Sequence, residues 1–434
     1  MTPYEYQLKI AKEAYTVLQR YGLVFFAMEE RTGKTLASIV LAEMTIRKNV
    51  LVVTKKGGLM GEKEKNYKTA KEGWFGTLNA YATLIGKHQW LTNDGTLFTV
   101  VNYHGIHTKY KTPASKTAYK LNFKKGIYDL IILDESHNYL SAYPKVGVIW
   151  KSIRKLTDGL PVIYLSATPN AQGYQLLFNQ LRLSNWSPFK AYKDFYRWFE
   201  YYGIPSKVRT AYGLQETYKK CKVSAWEEVK HLFITYTRKE LGFEHEPNDV
   251  LHYVELDKPT KELYNKATEE LILPIPQVEE GILLDSSMKE RTSLHMLEGG
   301  VAKNGDDYYV LNNDEKIQAI LRDFGDSEYN YIMYHYKAEH TKLEKYFKNT
   351  RLLQATSNAE GVDLSMYKIG IIYSQDWSTA RHSQRRARQA NKNRKEPINV
   401  HYYLVKDAIS DQVYDTVSIN KTNFIDSLYE RKKL

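Results

Sequence analysis

The sequence predicts an α/β protein of two lobes, each built on a largely parallel sheet and carrying helical insertions. Three observations lead there. Short runs that are apolar almost throughout alternate with helical patterns, as strands covered on both faces by crossover helices do. These runs fall into two series with a largely helical stretch between them. At 434 residues, the chain is also longer than one ordinary core organises.

The first series is Leu23–Ala27, Val50–Val53, Leu97–Val101, Leu130–Leu133 and Val162–Leu165. The second is Tyr331–Tyr334, Leu352–Leu353, Ile369–Tyr373 and Val400–Leu404. Between them, Pro188–Phe199, Lys261–Leu271 and Met288–Leu297 have helical patterns. The expected division is residues 1–245, with a helical insertion at about 171–240, and residues 246–434, with one at about 260–310. The boundary is placed near Gly242 to Asn248. There is no short internal repeat and no low-complexity tract.

Hydrophobic residues make up 43% of the chain and charged residues 26%, a composition that supports packed cores. The formal net charge of +12 favours a polyanionic partner. Cys221 is the one cysteine, so neither an intrachain disulfide nor a cysteine-rich zinc site can form. No apolar stretch reaches the roughly 18–20 residues that span a bilayer, and Met1–Glu5 does not begin a signal peptide. A cytoplasmic protein with no membrane role is expected. His104 with His107, and His335 with His340, lack the further ligands a metal site needs.

Three motifs carry chemistry, each at the end of an apolar run. Met28-Glu29-Glu30-Arg31-Thr32-Gly33-Lys34-Thr35 follows the first run and leads into a helix. That is the context of a phosphate-binding loop, in which backbone N–H groups at a helix start meet phosphate oxygens. Arg31, Thr32 and Gly33 would shape the loop, Lys34 would neutralise the β/γ-phosphates, and the Thr35 hydroxyl would ligate Mg²⁺. Met28 stands where such loops usually have their first glycine. A chance Gly-Lys-Thr at a helix start is the bland alternative. Asp134-Glu135-Ser136-His137 closes a second run, at the strand end where parallel sheets bind ligands. Asp134 would hold Mg²⁺ and Glu135 would orient the attacking water; alone, the pair could simply cap a helix. Ser166-Ala167-Thr168-Pro169 closes a third run.

Together these segments resemble helicase motifs I, II and III of superfamily 2, the DEAD/DEAH-type helicases and translocases. Pro3-Tyr4-Glu5-Tyr6-Gln7 resembles that family's upstream adenine-reading motif, which points to Gln7. Val52-Val53-Thr54-Lys55 resembles motif Ia and Val101-Asn102-Tyr103 motif Ib, so Thr54, Lys55 and Tyr103 are expected to face nucleic acid. In the second lobe, Tyr331–Lys337 resembles motif IV, Thr356–Asp363 motif V, and Gln384-Arg385-Arg386-Ala387-Arg388 motif VI. The resemblance assigns Lys337 to nucleic acid; Gly361, Asp363, Gln384 and Arg388 to nucleotide; and His137, Ser166 and Thr168 to coupling. Asp376-Trp377-Ser378, Phe189–Phe195, Phe233–Lys239, and Tyr253–Leu256 with Glu262–Tyr264 are similar to the Swi/Snf-like branch of double-strand translocases. The family implies two RecA-like lobes, ATP and Mg²⁺ as cofactors, and an ATP-dependent DNA motor, here a small relative of the kind phages encode.

One departure bears on hydrolysis. The family places a second motif VI arginine three residues after the first; with Arg388 as the first, that position is Asn391. Arg385 or Arg394 is the candidate substitute. Two alternatives follow: an RNA helicase on the same scaffold, or a hydrolysis-poor, ATP-gated DNA-binding clamp. The expected partner is double-stranded or branched DNA, bound by a monomer with a possible loading protein.

Overall fold

A computed structural model describes residues 1–420, apart from 62–63, 114, 171–172, 211–212 and 356–361. The chain divides between Gly242 and Phe243 into two compact units.

The first unit opens with helix α1 (Glu5–Tyr21), whose N-terminus is closed by the Gln7 side chain: Tyr4 N donates to Oε1 at 2.9 Å. Strand β1 (Leu23–Phe26) follows, then α2 (Lys34–Met44), β2 (Asn49–Thr54), α3 (Gly73–Tyr81), β3 (Leu97–Asn102), β4 (Leu130–Asp134), α4 (Val148–Leu156), β5 (Val162–Leu165), α5 (Gln175–Leu181), α6 (Phe195–Tyr202) and β6 (Phe233–Ile234). The six strands are parallel in the order β6-β1-β5-β4-β2-β3. Antiparallel strands Gln89–Leu91 and Thr83–Gly86 extend the β3 edge. This is a RecA-like α/β sheet.

All four residues of β1 are fully buried. Each such side chain contributes about 1.5–3 kcal/mol on burial, which anchors the loop that follows. On one face Phe25, Tyr164 and Phe233 stack in a row across three strands. The α6 aromatics Phe195, Trp198 and Phe199 pack into the same core. Because β1, β5 and β4 are neighbours, their C-terminal ends lie side by side. The segment expected as a helical insertion at about 171–240 holds α5 and α6, but also a hairpin, Ser206–Thr210 with Gly213–Thr217, and β6, which joins the sheet.

The second unit holds five parallel strands: β7 (Pro247–Tyr253), β8 (Asn330–Tyr334), β9 (Arg351–Gln354), β10 (Ile369–Ile372) and β11 (Ile398–Leu404), in the order β7-β11-β10-β8-β9. Helices α7 (Lys258–Glu269) and α8 (Ser287–Glu298) pack with two short hairpins around Leu273, Ile282 and Leu297. Helices α9 (Glu315–Phe324) and α10 (Lys337–Tyr346) belong to the sheet, and α11 (Thr379–Arg386) precedes β11.

Candidate active site

The loop after β1 is held at both ends. Ala27 N donates to Ile234 O (3.0 Å) and Glu29 N to Tyr236 O (3.1 Å), which continues the β6 pairing into the loop. Arg238 closes the same side: its backbone N donates to Glu29 Oε2 (2.6 Å), and its guanidinium lies 3.6 Å from the carboxylates of both Glu29 and Glu30. Arg31 and Gly33 adopt left-handed backbone, with φ of 66° and 79°, a region open to glycine and costly for other residues. Met28 is buried and is not among the left-handed residues, so its position does not demand a glycine. A Cβ on Gly33 would run into the Gln7 amide, which donates to Gly33 O at 3.3 Å. Tyr6 Oη donates to Thr32 O (3.2 Å), and Thr32 Oγ1 to Glu29 O (2.7 Å).

Lys34 begins α2 and turns back into the loop. Its Nζ donates to Met28 O (2.9 Å) and Glu29 O (2.8 Å). Burial lowers its pKa, while Glu30, Glu135 and Asp134 oppose that shift and favour the ammonium. The cation and three carboxylates therefore act on one another at the strand ends.

Asp134 ends β4. Its Oδ2 accepts from Thr54 Oγ1 (2.7 Å) and Trp74 Nε1 (2.9 Å), and its backbone O from Tyr103 Oη (2.9 Å). Burial raises its pKa, reinforced by Glu135. Glu135 is itself left-handed, at φ 47°, with Lys55 Nζ 4.0 Å and His137 Nδ1 3.4 Å from its carboxylate. His137 Nδ1 also meets Ser166 Oγ at 2.8 Å, and Ser166 Oγ accepts from Thr168 N at 3.1 Å. A second link between these segments runs through Gln180 on α5: Ser136 Oγ donates to its Oε1, and its Nε2 donates to Pro169 O, both at 2.8 Å. The ends of β1, β4 and β5 thus form one hydrogen-bonded assembly.

A phosphate chain with Mg²⁺ fits this donor set. Lys34 holds carbonyls that an anion would displace. Both side-chain bonds to Asp134 fall on Oδ2, and Oδ1 accepts none among the described residues. Thr35 stands beside Lys34 at the start of α2.

Thr54 and Tyr103, assigned to nucleic acid, are fully buried and hold Asp134 instead. The strand ends that carry them turn inward onto the carboxylate, and Tyr103 stacks on Tyr139 with ring centroids 4.4 Å apart. Lys55 is likewise buried and lies toward Glu135. Lys337, by contrast, is exposed at the start of α10.

In the second unit, Gly361 lies outside the described residues. Asp363 Oδ1 accepts from Ser365 N at 2.9 Å. Gln384 and Arg388 are buried, and Arg388 O accepts from Leu364 N at 3.3 Å, which ties motif VI to the segment after Asp363. The neighbouring arginines have structural partners. Arg381 and Arg385 meet Asp376 Oδ2 at 2.5 and 3.4 Å. Arg386 binds Asp249 Oδ1 (2.7 Å) and Pro247 O (2.9 Å). Arg394, a candidate substitute for the missing arginine, donates to Ser365 O (2.8 Å), Tyr367 O (3.2 Å) and Glu396 O (3.1 Å). Asn391 Oδ1 accepts from Asn393 N at 2.9 Å, a local turn contact.

Sequence reasoning did not single out Trp74, Arg238 or Gln180. Trp74 and Gln180 lie in no motif. Arg238 sits in the stretch Phe233–Lys239, whose resemblance was noted without a role for that residue.

The sheet order and the loop chemistry define a RecA-like P-loop domain in the first unit. Residues 1–171 match the family model described as "Type III restriction enzyme, res subunit". Among solved structures, the chain is similar to the Sulfolobus solfataricus SWI2/SNF2 ATPase core in complex with dsDNA, at 15% identity, covering 98% of this chain and 92% of that one, with a TM-score of 0.38. No curated protein matches the chain.

Proposed function

We propose that this chain is an ATP-dependent DNA translocase or helicase. The observation that carries this reading is the hydrogen-bonded assembly at the ends of β1, β4 and β5: Lys34 turned back onto the Met28 and Glu29 carbonyls, Asp134 held by Thr54 and Trp74, and His137 joined to Ser166. In this reading Lys34, Thr35 and the loop N–H groups bind the nucleotide phosphates, and Gln7 and Tyr6 brace the loop. Asp134 holds Mg²⁺, which neutralises phosphate charge. Glu135 orients the attacking water and accepts its proton. The His137–Ser166 contact passes a change at Glu135 to the segment after β5. Arg388 and Asp363 of the second unit join the same cycle, and the net charge of +12 supplies attraction to a polyanion.

The pinned arginines favour a specific second reading. With Arg394 and Arg385 committed elsewhere, the chain is an ATP-gated DNA-binding clamp of weak turnover. Steady-state ATPase without nucleic acid, then with single-stranded DNA, duplex DNA or duplex RNA, separates the readings. The motor reading expects strong stimulation by duplex DNA, abolished by Lys34→Ala. Stimulation chiefly by duplex RNA would move the substrate to RNA. Tight DNA and ATP binding with negligible turnover would establish the clamp, and normal turnover in Lys34→Ala would sink the site assignment.

A further inference from the structure

Between Asp94 and Asp129 the sequence contains no carboxylate side chain but six lysines. Much of this stretch forms an antiparallel hairpin, His107–Lys111 with Thr117–Leu121, that pairs with no other strand among the described residues. It leaves the first unit just after β3, and its base is fixed where His107 Nδ1 meets Ser152 Oγ of α4 at 3.2 Å. Its strands are exposed on both faces. Such a hairpin buries too little to be explained as a core element.

Its register alternates cations with aromatic rings. Lys109 lies directly opposite Tyr119, and Thr108 opposite Lys120 with Tyr110 two residues along on the same face. Tyr110 and Tyr119 are 48% and 40% exposed, although a tyrosine ring gains by burial. His107 meets Tyr119 edge-on, with centroids 5.0 Å apart, which props that ring from one side while leaving it partly exposed. Lys109, Lys111, Lys116 and Lys120 form no ion pair among the described residues. A solubilising surface would mix both signs of charge. Unpaired lysines interleaved with presented rings are instead what binds a phosphate backbone and stacks on its bases.

We propose that this hairpin is a nucleic-acid-binding arm, separate from the ATP site, that grips the phosphate backbone through its four lysines and stacks exposed bases on Tyr110 and Tyr119. It rests on the proposal that the chain acts on nucleic acid, and it adds a place of contact that the motifs do not supply.

The test is equilibrium binding of fluorescein-labelled single-stranded and duplex DNA, without nucleotide, across a salt series. It compares the full chain with K109Q/K111Q/K116Q/K120Q and with a control that loses four exposed lysines elsewhere, K258Q/K261Q/K266Q/K345Q. Each backbone contact contributes about 0.7–0.9 to the slope of log affinity against log salt. The arm variant is expected to lose about 3 from that slope and to bind at least tenfold more weakly, with basal ATPase unchanged and the control close to the parent. Y110A/Y119A is expected to weaken single-stranded binding more than duplex binding. Unchanged slope in the arm variant would overturn the arm, and DNA-stimulated ATPase in that same protein would leave the motor reading intact. Equal losses in arm and control variants would reduce the effect to net charge and also overturn it. A parent that binds no DNA at any salt would overturn both proposals.

Discussion

Lys34 and Asp134 of the first unit and the arginines of the second are held in opposite ways. In the first, Lys34 is held by two backbone carbonyls and Asp134 by two neutral donors on one oxygen. These partners orient the groups without neutralising them, so an incoming anion or cation can take over. In the second, Arg381 and Arg385 share Asp376, Arg386 has Asp249, and Arg394 donates to three backbone carbonyls. Each of those cations already has a carboxylate or carbonyl partner within its own unit. A run of arginines in a sequence thus says little about how many are available for chemistry; the distribution of acceptors around them decides it.

The sharpest way to break this contrast is to remove the cation of the first unit. Lys34→Ala is expected to lower the ATPase rate by about 10⁴-fold while leaving nucleotide-free DNA affinity within about twofold. Residual turnover near the parent's would place the phosphate site elsewhere.

Next comes the choice among arginines. Arg388→Ala is expected to cost about 10³-fold in turnover if it supplies the charge that motif VI gives. Arg394→Ala should leave turnover per folded molecule near the parent's and lower unfolding stability by about 2 kcal/mol, because three carbonyls lose their donor. Chemical denaturation alongside the ATPase assay checks both. A catalytic loss in Arg394→Ala without a stability loss would reverse the assignment.

Acid should separate the units. Four buried or half-buried histidines of the second unit are held neutral: His295 well below its ordinary value, His335 and His401 at about 4, and His382 at about 3, with burial the largest cause in each. Their folded pKa values lie below the unfolded value of 6.5, so the unfolded chain takes up protons first. Stability is complete above about pH 6.5 and falls as the pH drops toward 3. For His382 alone the loss is on the order of 3 kcal/mol. Glu339 works the other way: burial raises it to about 7, which makes its neutral form the favoured one and offsets part of the loss. Denaturation midpoints from pH 7 to pH 4 are expected to fall, with a shallower fall in His382→Phe. An equally steep profile in that variant would remove His382 from the account.

The smallest effect concerns Trp74. Trp74→Phe keeps an aromatic ring at the position, though a smaller one, and removes one hydrogen bond from Asp134. The Mg²⁺ concentration for half-maximal ATPase is expected to rise about tenfold, with the saturating rate changed less, as for other groups that orient a metal ligand. A fall in the saturating rate with unaltered Mg²⁺ dependence would mean that Trp74 serves packing alone.

Much of the fold was legible because buried parallel strands are written as continuous apolar runs, and Leu23–Phe26, Leu130–Leu133 and Val162–Leu165 are such runs. Strands with other surroundings were not. β6 is two residues long, and β7 is an edge strand, Pro247–Tyr253, that begins with proline and is only partly buried. Of the site, the residues in the local motifs could be read directly, since phosphate and metal chemistry restrict residue type at fixed spacing. The supports could not: Trp74 reaches Asp134 across 60 residues and Gln180 reaches Ser136 across 44. Tyr103 shows the limit of analogy: the strand end was recognisable from its neighbours, but the direction of the ring was set by a buried carbonyl acceptor.

The clamp formed by β6 and Arg238 also has a temporal meaning. Glu29 and Arg238 are joined across 209 residues, so the phosphate loop is made early in synthesis and fastened late. At about 5–20 residues per second, a nascent chain spends roughly ten to forty seconds with this loop unsecured before its last support leaves the ribosome. The loop takes its final shape only when the first unit is whole, and a fragment ending near residue 171 carries the motif without the part that fixes that shape.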